Sequence, residues 1–384
     1  MKNKEKTINA RKINLIFLLK ISTCILLAVL ICFLLFLFSY TGGRADLPFE
    51  SSKVENANIK PFVDDFGYQS FKKDSDRDFK ILQLSDLHFG NGFLSYWQDK
   101  ASLKAVDALV RNSKPDLIIV TGDVVYPVPF QSGSRNNLLA MTNISKFIDG
   151  FCIPWTIVFG NHDAEFFSTN RLSDLCDVLE NQKYCIFKKN DVGICGLGNN
   201  FVNIYNQDGS KNTSIALFFT GKTVNDVQFL GYESIQENQI KWYEDELKKM
   251  SGEGPIVSSL AFMHVPFYEY KTAWKAHLAG SSDAVLHFGS VKERRGKIST
   301  AKNDSEIFER MIALGSTKGV FAGHDHLNDF SLTYRGIRLT FGKSIDYLAY
   351  LGINKVHDQR GATNITIGND SSFNVESIRL RDIV

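Results

Sequence analysis

The chain has 384 residues, 44% of them apolar, which is enough to bury a large core and suggests one big domain or two modest ones. Its formal charge of +2 is close to neutral for that length, so composition offers no sign of a nucleic-acid-binding surface. Activity and partners have to be argued from particular residues.

Near the amino terminus, Ile21 to Phe38 runs without a charge, and Leu15 to Leu19 extends the apolar stretch beyond Lys20, long enough to span a bilayer. A cleaved signal peptide would have a shorter apolar region and an Ala-x-Ala-like site, whereas Ser39-Tyr40-Thr41-Gly42-Gly43 follows here. Lys2, Lys4, Lys6, Arg11, Lys12 and Lys20 precede the apolar core and only Arg44 follows it closely, which by the positive-inside rule keeps the amino terminus cytoplasmic. The expected layout is a basic cytoplasmic segment (1–12), a transmembrane signal anchor (13–40), a juxtamembrane spacer (41–77) and an extracytoplasmic globular domain (78–384). The lipid bilayer is therefore one expected partner. The spacer is inferred from mixed charge, Pro48, Pro61 and a lack of periodicity.

Lys80 to Ser85 has the pattern of a buried strand and ends in Asp86-Leu87-His88. Leu103, Val106, Ala108, Leu109 and Val110 give a helical stripe that breaks at Asn112-Ser-Lys-Pro115, and Asp116 to Thr121 is a second strand ending in Gly122-Asp123. Strand, helix, strand is the βαβ pattern. Pro127 to Gly133 suggests a loop over a pocket and Asn136 to Ile148 a helix. Trp155 to Phe159 is then stopped by Gly160, so that Asn161, His162 and Asp163 emerge at the strand's carboxyl end, where open α/β sheets place their ligands.

Leu172, Leu175, Cys176 and Leu179 predict a helix behind Ser168-Thr169-Asn170. Ile186-Phe187, Val192 to Ile194 and Ile215 to Phe219 predict strands of a second sheet, and Ser234-Ile-Gln-Glu237 is a capping-box pattern ahead of Ile240, Tyr243 and Leu247. Ile256 to Met263 delivers His264. No clean periodicity runs from Val265 to Asn303, which predicts a long loop. A helix around Ile307 to Leu314, closed by Gly315, leads to Gly319–Gly323 and His324-Asp325-His326, and Phe330 to Phe341 is a hairpin turning at Arg335-Gly336. Cys152, Cys176, Cys185 and Cys195 leave two disulfides or four buried thiols open.

Each of these polar clusters alone is ordinary loop chemistry. Five strand ends carrying metal-type ligands are not. The set holds imidazoles, carboxylates and one amide without a thiolate, which suits Mn, Fe or Zn better than copper(I) or calcium. Asp123 is the natural carboxylate to bridge two such ions.

The ordered blocks Asp86-Leu-His88, Gly122-Asp123, Gly160-Asn161-His162-Asp163, His264 and Gly323-His324-Asp325-His326 resemble those of the calcineurin-like metallophosphoesterase superfamily, over about residues 80 to 345. The resemblance implies an α/β fold of two mixed β-sheets packed as a sandwich flanked by helices, with a dimetal site at the sheet edge. Carried over, it places one metal on Asp86, His88, Asp123 and His326 and the other on Asp123, Asn161, His264 and His324. The implied reaction is hydrolysis of a phosphate ester by a metal-bridging hydroxide, with His162 as general acid oriented by Asp163. The substrate would be a small-molecule or nucleotide phosphoester. A nucleotide or cyclic-nucleotide phosphodiesterase and a catalytically silent metal-binding interaction module remain alternatives. Val-Val-Tyr126 follows Asp123 where Ser/Thr protein phosphatases carry Asp-Arg-Gly, which puts that subfamily in doubt. Asp123-x-x-Tyr126 is similar to the purple acid phosphatase block, yet His88 fills the slot of its tyrosinate, so Tyr126 is expected to pack beside the site.

Overall fold

Period-2 alternation in Phe79–Leu84 and Leu117–Thr121 places these strands between two cores. In β3 (Phe79–Leu84) and β4 (Leu117–Thr121), Phe79, Ile81, Leu117 and Ile119 face one core, while Leu82, Leu84, Ile118 and Val120 face another. Strands buried on both faces belong in the middle of a layered structure. The computed structural model, which describes residues 2–40, 42–56, 58–190, 192–222, 231–302 and 306–384, shows those layers. A five-stranded sheet runs β14-β13-β3-β4-β5, with β5 spanning Trp155–Val158, β13 Gly361–Ile367 and β14 Phe373–Arg379. Within it β3, β4 and β5 are parallel, so their carboxyl ends lie on one edge.

The second sheet has nine strands in the order β1-β2-β6-β7-β8-β10-β12-β11-β9. In chain order these are β1 (Phe62–Val63), β2 (Gln69–Lys72), β6 (Asn200–Tyr205), β7 (Lys211–Leu217), β8 (Ser258–Phe262), β9 (Ala284–Phe288), β10 (Thr317–Ala322), β11 (Ser331–Tyr334) and β12 (Ile337–Phe341). Strands β8 and β10 are parallel neighbours at its centre. Leu260, Phe262 and Phe321 from this sheet meet Phe79, Ile81 and Ile119 from the other in the inter-sheet core. Burying each such side chain contributes roughly 1.5–3 kcal/mol.

Helices cover both outer faces. Helix α2 (Tyr96–Ser113), α4 (Asn137–Asp149) and α5 (Leu172–Glu180) pack on the five-stranded sheet. On the nine-stranded sheet lie α6 (Glu237–Ser251), α7 (Glu269–Leu278) and α8 (Ile307–Leu314). This is the sandwich of mixed sheets flanked by helices. Ahead of it, α1 (Lys2–Ser39) holds the apolar span Ile16–Leu37, 22 residues long with mean hydropathy 2.7, and a single turn, α3 (Pro129–Ser132), stands where the loop over the pocket was expected.

Several elements differ from expectation for identifiable reasons. Residues 62–72, expected in the spacer, supply β1 and β2, and Phe71 is fully buried between the sheets. A lone phenylalanine between Ser70 and Lys72 gives no visible alternation. The Asp64 carboxylate ties this edge down, accepting from Ser70 Oγ (2.8 Å), Asn203 Nδ2 (2.8 Å) and Tyr205 Oη (3.0 Å). The stretch 265–303 contains α7 and β9 rather than one long loop, because α7 buries only Glu269, Tyr270 and Ala273 and so shows a thin stripe. Val192 to Ile194 is not a strand, and Gly193 lies at φ 111°. The α6 cap sits two residues beyond the expected box, with the Gln236 N–H donating to Gln239 Oε1 (3.0 Å). Residues 223–230 of the strand-rich middle, and Asn303 at the end of the expected loop, lie outside the described residues. Cys152, Cys176, Cys185 and Cys195 are free thiols.

Candidate metal centre

The carboxyl ends of β3, β4 and β5 meet those of β8 and β10 across the two sheets, and every block singled out in the sequence leaves one of these five ends. The turn after each strand is abrupt. Asp86 (φ 53°), His88 (φ 49°), Asp123 (φ 49°) and His324 (φ 82°) all sit in the left-handed region. A non-glycine residue there costs on the order of 1–3 kcal/mol, and such positions cluster at functional sites. These turns, rather than the strand pleat, bring Asp86 and His88 to one face. Crowding explains the glycines. A Cβ on Gly160 would stand 2.2 Å from Asp123 Oδ1, and one on Gly122 2.5 Å from His264 Cγ.

Two groups of side chains result. Asp86, His88, Asp123 and His326 offer ligand atoms within 4.8 Å of one another, and Asp123, His264 and His324 do the same. Asp123 is common to both. Its Oδ2 lies 3.1 Å from His264 Nε2 and 3.6 Å from His88 Nε2, and Asp86 Oδ1 lies 3.6 Å from His326 Nε2. Asn161 joins the second group through Oδ1, 3.2 Å from His264 Nε2. Asp86, His88, Asp123, His264 and His326 are buried, and His324 is half-buried.

This donor set fits divalent cations better than it fits itself. Both ring nitrogens of His88 and the Asn161 amide nitrogen are buried without a hydrogen-bond partner among the described residues. Buried polar atoms are seldom left so. Burial pulls the His264 and His326 imidazoles down, but the carboxylates of Asp123 and Asp346 respectively more than offset it, and both are pushed up to about 9. Burial holds His88 down at about 3. The metal-free cluster thus keeps protons where cations would bring charge.

Second contacts aim the ligands. His264 Nδ1 lies 2.8 Å from the Thr121 carbonyl oxygen, which turns Nε2 toward Asp123. His326 Nδ1 lies 2.8 Å from Asp346 Oδ2, which turns Nε2 toward Asp86. Fixing one ring nitrogen in this way sets the tautomer and leaves the other free to ligate. Asp346 is buried, and its Oδ1 accepts from the Leu348 (2.7 Å) and Ala349 (2.8 Å) N–H groups. No sequence pattern pointed to it.

His162 stands apart from both groups. Its Nε2 is 4.0 Å from Asp123 Oδ2, and its backbone N–H donates to Asp123 Oδ1 (2.8 Å). The expected orienting role of Asp163 is corrected by the structure. Asp163 accepts from the N–H groups of Val124 (2.8 Å), Val125 (3.0 Å) and Gly160 (2.7 Å), which welds the β4 and β5 exits together. Burial and the nearby Asp123 push its carboxyl up to about 7. Glu165 is the carboxylate beside the imidazole, its Oε2 2.9 Å from His162 Nδ1. The reason is steric. Consecutive residues of this turn point apart, whereas a residue three positions on can fold back. Burial lowers the His162 pKa, but Asp123 and Glu165 together raise it above the ordinary value.

Tyr126 packs against the site, with ring centroids 5.1 Å from His88 and 5.0 Å from His162, and its hydroxyl donates to Gln131 Oε1 (2.7 Å). His287 lies elsewhere on β9, bonded to Thr333 Oγ1 (2.8 Å). A cleft of about 560 Å³ opens over the cluster, floored by Asp123, His162, His324 and His326 and walled in part by Tyr268 and Lys297.

A family model described as calcineurin-like phosphoesterase matches residues 79–328. "Probable inactive purple acid phosphatase 28" of Arabidopsis thaliana is 28% identical over 303 residues, covering 72% of this chain and 72% of that protein. Phosphatase DCR2 of Saccharomyces cerevisiae is 30% identical over 294 residues, which cover 70% of this chain and 47% of that one. A solved structure of a dimetal phosphatase from Danio rerio superposes with a TM-score of 0.49 at 14% identity, covering 79% of this chain and 99% of the other.

Proposed function

The chain belongs to the calcineurin-like phosphoesterase family, and from that membership we propose that it is an active metallophosphoesterase using two metal ions and a histidine general acid. The observation that carries this reading is one carboxylate, Asp123, shared by two ligand groups. Asp86, His88, Asp123 and His326 would hold one ion, and Asp123, Asn161, His264 and His324 the other. Imidazole, carboxylate and amide donors favour Mn, Fe or Zn. The chemistry that such a pair supplies when bound is activation of water as nucleophile and neutralisation of charge on the phosphoryl oxygens.

The chain's own residues do the rest. His162 holds a proton on Nε2 at the cleft, with Nδ1 tied to Glu165, and passes that proton to the departing oxygen of the ester. Asp163 keeps the β4 and β5 turns in register, so that His162 and Asp123 stay at a fixed separation. The name of the Arabidopsis relative includes the word "inactive", which favours, as a second reading, a silent module that binds metal without turnover. Against it stand the complete ligand set and His162 in this chain.

The deciding experiment loads the full-length chain with Mn, Fe or Zn and assays p-nitrophenyl phosphate beside its bis-ester. Turnover that vanishes on chelation supports the enzyme. A metal-replete protein inert toward a broad phosphoester panel supports the silent module, and faster cleavage of the bis-ester points to a phosphodiesterase. Metal uptake should also release protons. His264 and His326 carry them below about pH 9 in the metal-free protein, whereas imidazole ligates only when neutral. Calorimetry in buffers of different ionisation enthalpy should therefore find at least about two protons released per protein at pH 7, with the share from the two imidazoles falling away as the pH rises past 9.

We also assign α1 as an uncleaved anchor with the phosphoesterase domain outside the cytoplasm. Its exposed apolar span and the six basic residues before and within it support that orientation.

A further inference from the structure

We propose that the phosphoesterase domain rests in the headgroup layer of the bilayer that α1 spans, through an aromatic rim of Phe93, Leu94, Trp97, Phe130 and Phe166. The proposal rests on the anchor reading of α1. The 22 residues of Ile16–Leu37 rise roughly 33 Å, the thickness of the hydrocarbon core, so the helix leaves the apolar layer near Leu37. The domain begins at that point. Leu37 is buried, the Phe36 and Tyr40 rings lie 6.2 and 5.9 Å from the Phe93 ring, and the Arg44 N–H donates to the Asn91 carbonyl (2.9 Å). The Arg44 guanidinium meets the buried Asp99 carboxylate at 2.6 Å, and Ser134 Oγ donates to the Gly42 carbonyl. Arg44 stands four positions after Tyr40, a tether of at most roughly 14 Å, so the domain cannot stand clear of the membrane.

The surface it presents there is apolar. Trp97 is 72% exposed, Phe130 50% and Phe166 91%. Phe93, Phe130 and Phe166 stand on joined segments, and Trp97 follows Phe93 on the first turn of α2. The Leu94 N–H donates to the Ser132 carbonyl (3.1 Å), which joins the Phe93 loop to α3, and Phe130 on α3 reaches Phe166 through Phe167 by ring contacts of 5.8 and 5.5 Å. Lys100 Nζ stands 5.7 Å from the Trp97 ring. A tryptophan beside a lysine at the end of a membrane span suits the interfacial belt, with the ring among the headgroups and the ammonium on phosphate. Continuity with the anchor's exit favours lipid over a second copy of the chain as the occupant.

The full chain and a Trp97→Phe variant would be placed in phosphatidylcholine liposomes with and without brominated acyl chains. The fluorescence difference between the two proteins isolates Trp97 from Trp155, Trp242 and Trp274. The expected result is that brominated lipid at least halves that difference while aqueous acrylamide barely changes it. Quenching by acrylamide and not by lipid, in protein that still floats with the liposomes, overturns the docking and leaves the anchor standing. Shielding from both quenchers overturns it in favour of a protein partner. Failure to float removes the anchor reading and the docking together.

Discussion

His162→Ala should keep both metals and lose about 10²- to 10⁴-fold in turnover on alkyl phosphates, the range expected for removing a positioned general acid. The same variant should lose far less on p-nitrophenyl esters, whose leaving group departs without a proton. Geometry motivates the split. His162 Nε2 faces the cleft 4.0 Å from the shared carboxylate, while its Nδ1 is occupied by Glu165. The pH dependence has a definite sign. Because Asp123 and Glu165 raise the His162 pKa above its ordinary value despite burial, the acid form persists to higher pH than in a free imidazole, and the rate on alkyl esters should fall as the pH rises through that raised pKa. Steady-state kinetics on paired esters, with metal content measured on the same samples, checks both statements. Equal losses on the two ester types, or lost metal, would remove His162 from the role of acid.

The ligands were legible in the sequence because each follows a short apolar strand that stops at once. Phe262 to His264 and Ala322 to His326 are cases where the apolar run ends and donor atoms begin within two to four residues. The groups that aim those ligands were not legible. Thr121 acts through a backbone carbonyl, which has no sequence signature, and Asp346 stands in a loop with no spacing relation to His326. Glu165 carried a faint signal, three residues after His162, but the adjacent Asp163 masked it. In the fold, Gln69–Lys72 and Glu269–Leu278 escaped for a common reason. Each buries only two or three side chains, too few to establish a period, and each is held by partners distant in the chain. Doubly buried strands announce themselves; elements that bury only two or three side chains take their conformation from tertiary contacts.

The largest effect should come from Asp123. Substituting Asp123→Asn preserves volume and leaves an oxygen to accept the His162 N–H, which Asp123→Ala would strand at a cost of about 1–3 kcal/mol. What it removes is the negative charge that two ligand groups share, and with it the oxygen 3.1 Å from His264 Nε2 and 3.6 Å from His88 Nε2. A metal pair is worth several kcal/mol of transition-state charge stabilisation, so losing it should cost on the order of 10³-fold or more in turnover. Binding should fail unevenly. The first group keeps Asp86, His88 and His326 and retains one anionic ligand, whereas the second keeps only Asn161, His264 and His324, all neutral when ligating. The variant is therefore expected to hold at most one ion, on the Asp86 side, with thermal stability close to that of the metal-free parent. Elemental analysis after gel filtration reads the stoichiometry directly. Two ions retained by Asp123→Asn at undiminished affinity would show that the groups do not depend on a common carboxylate, and the dimetal reading would fail with them.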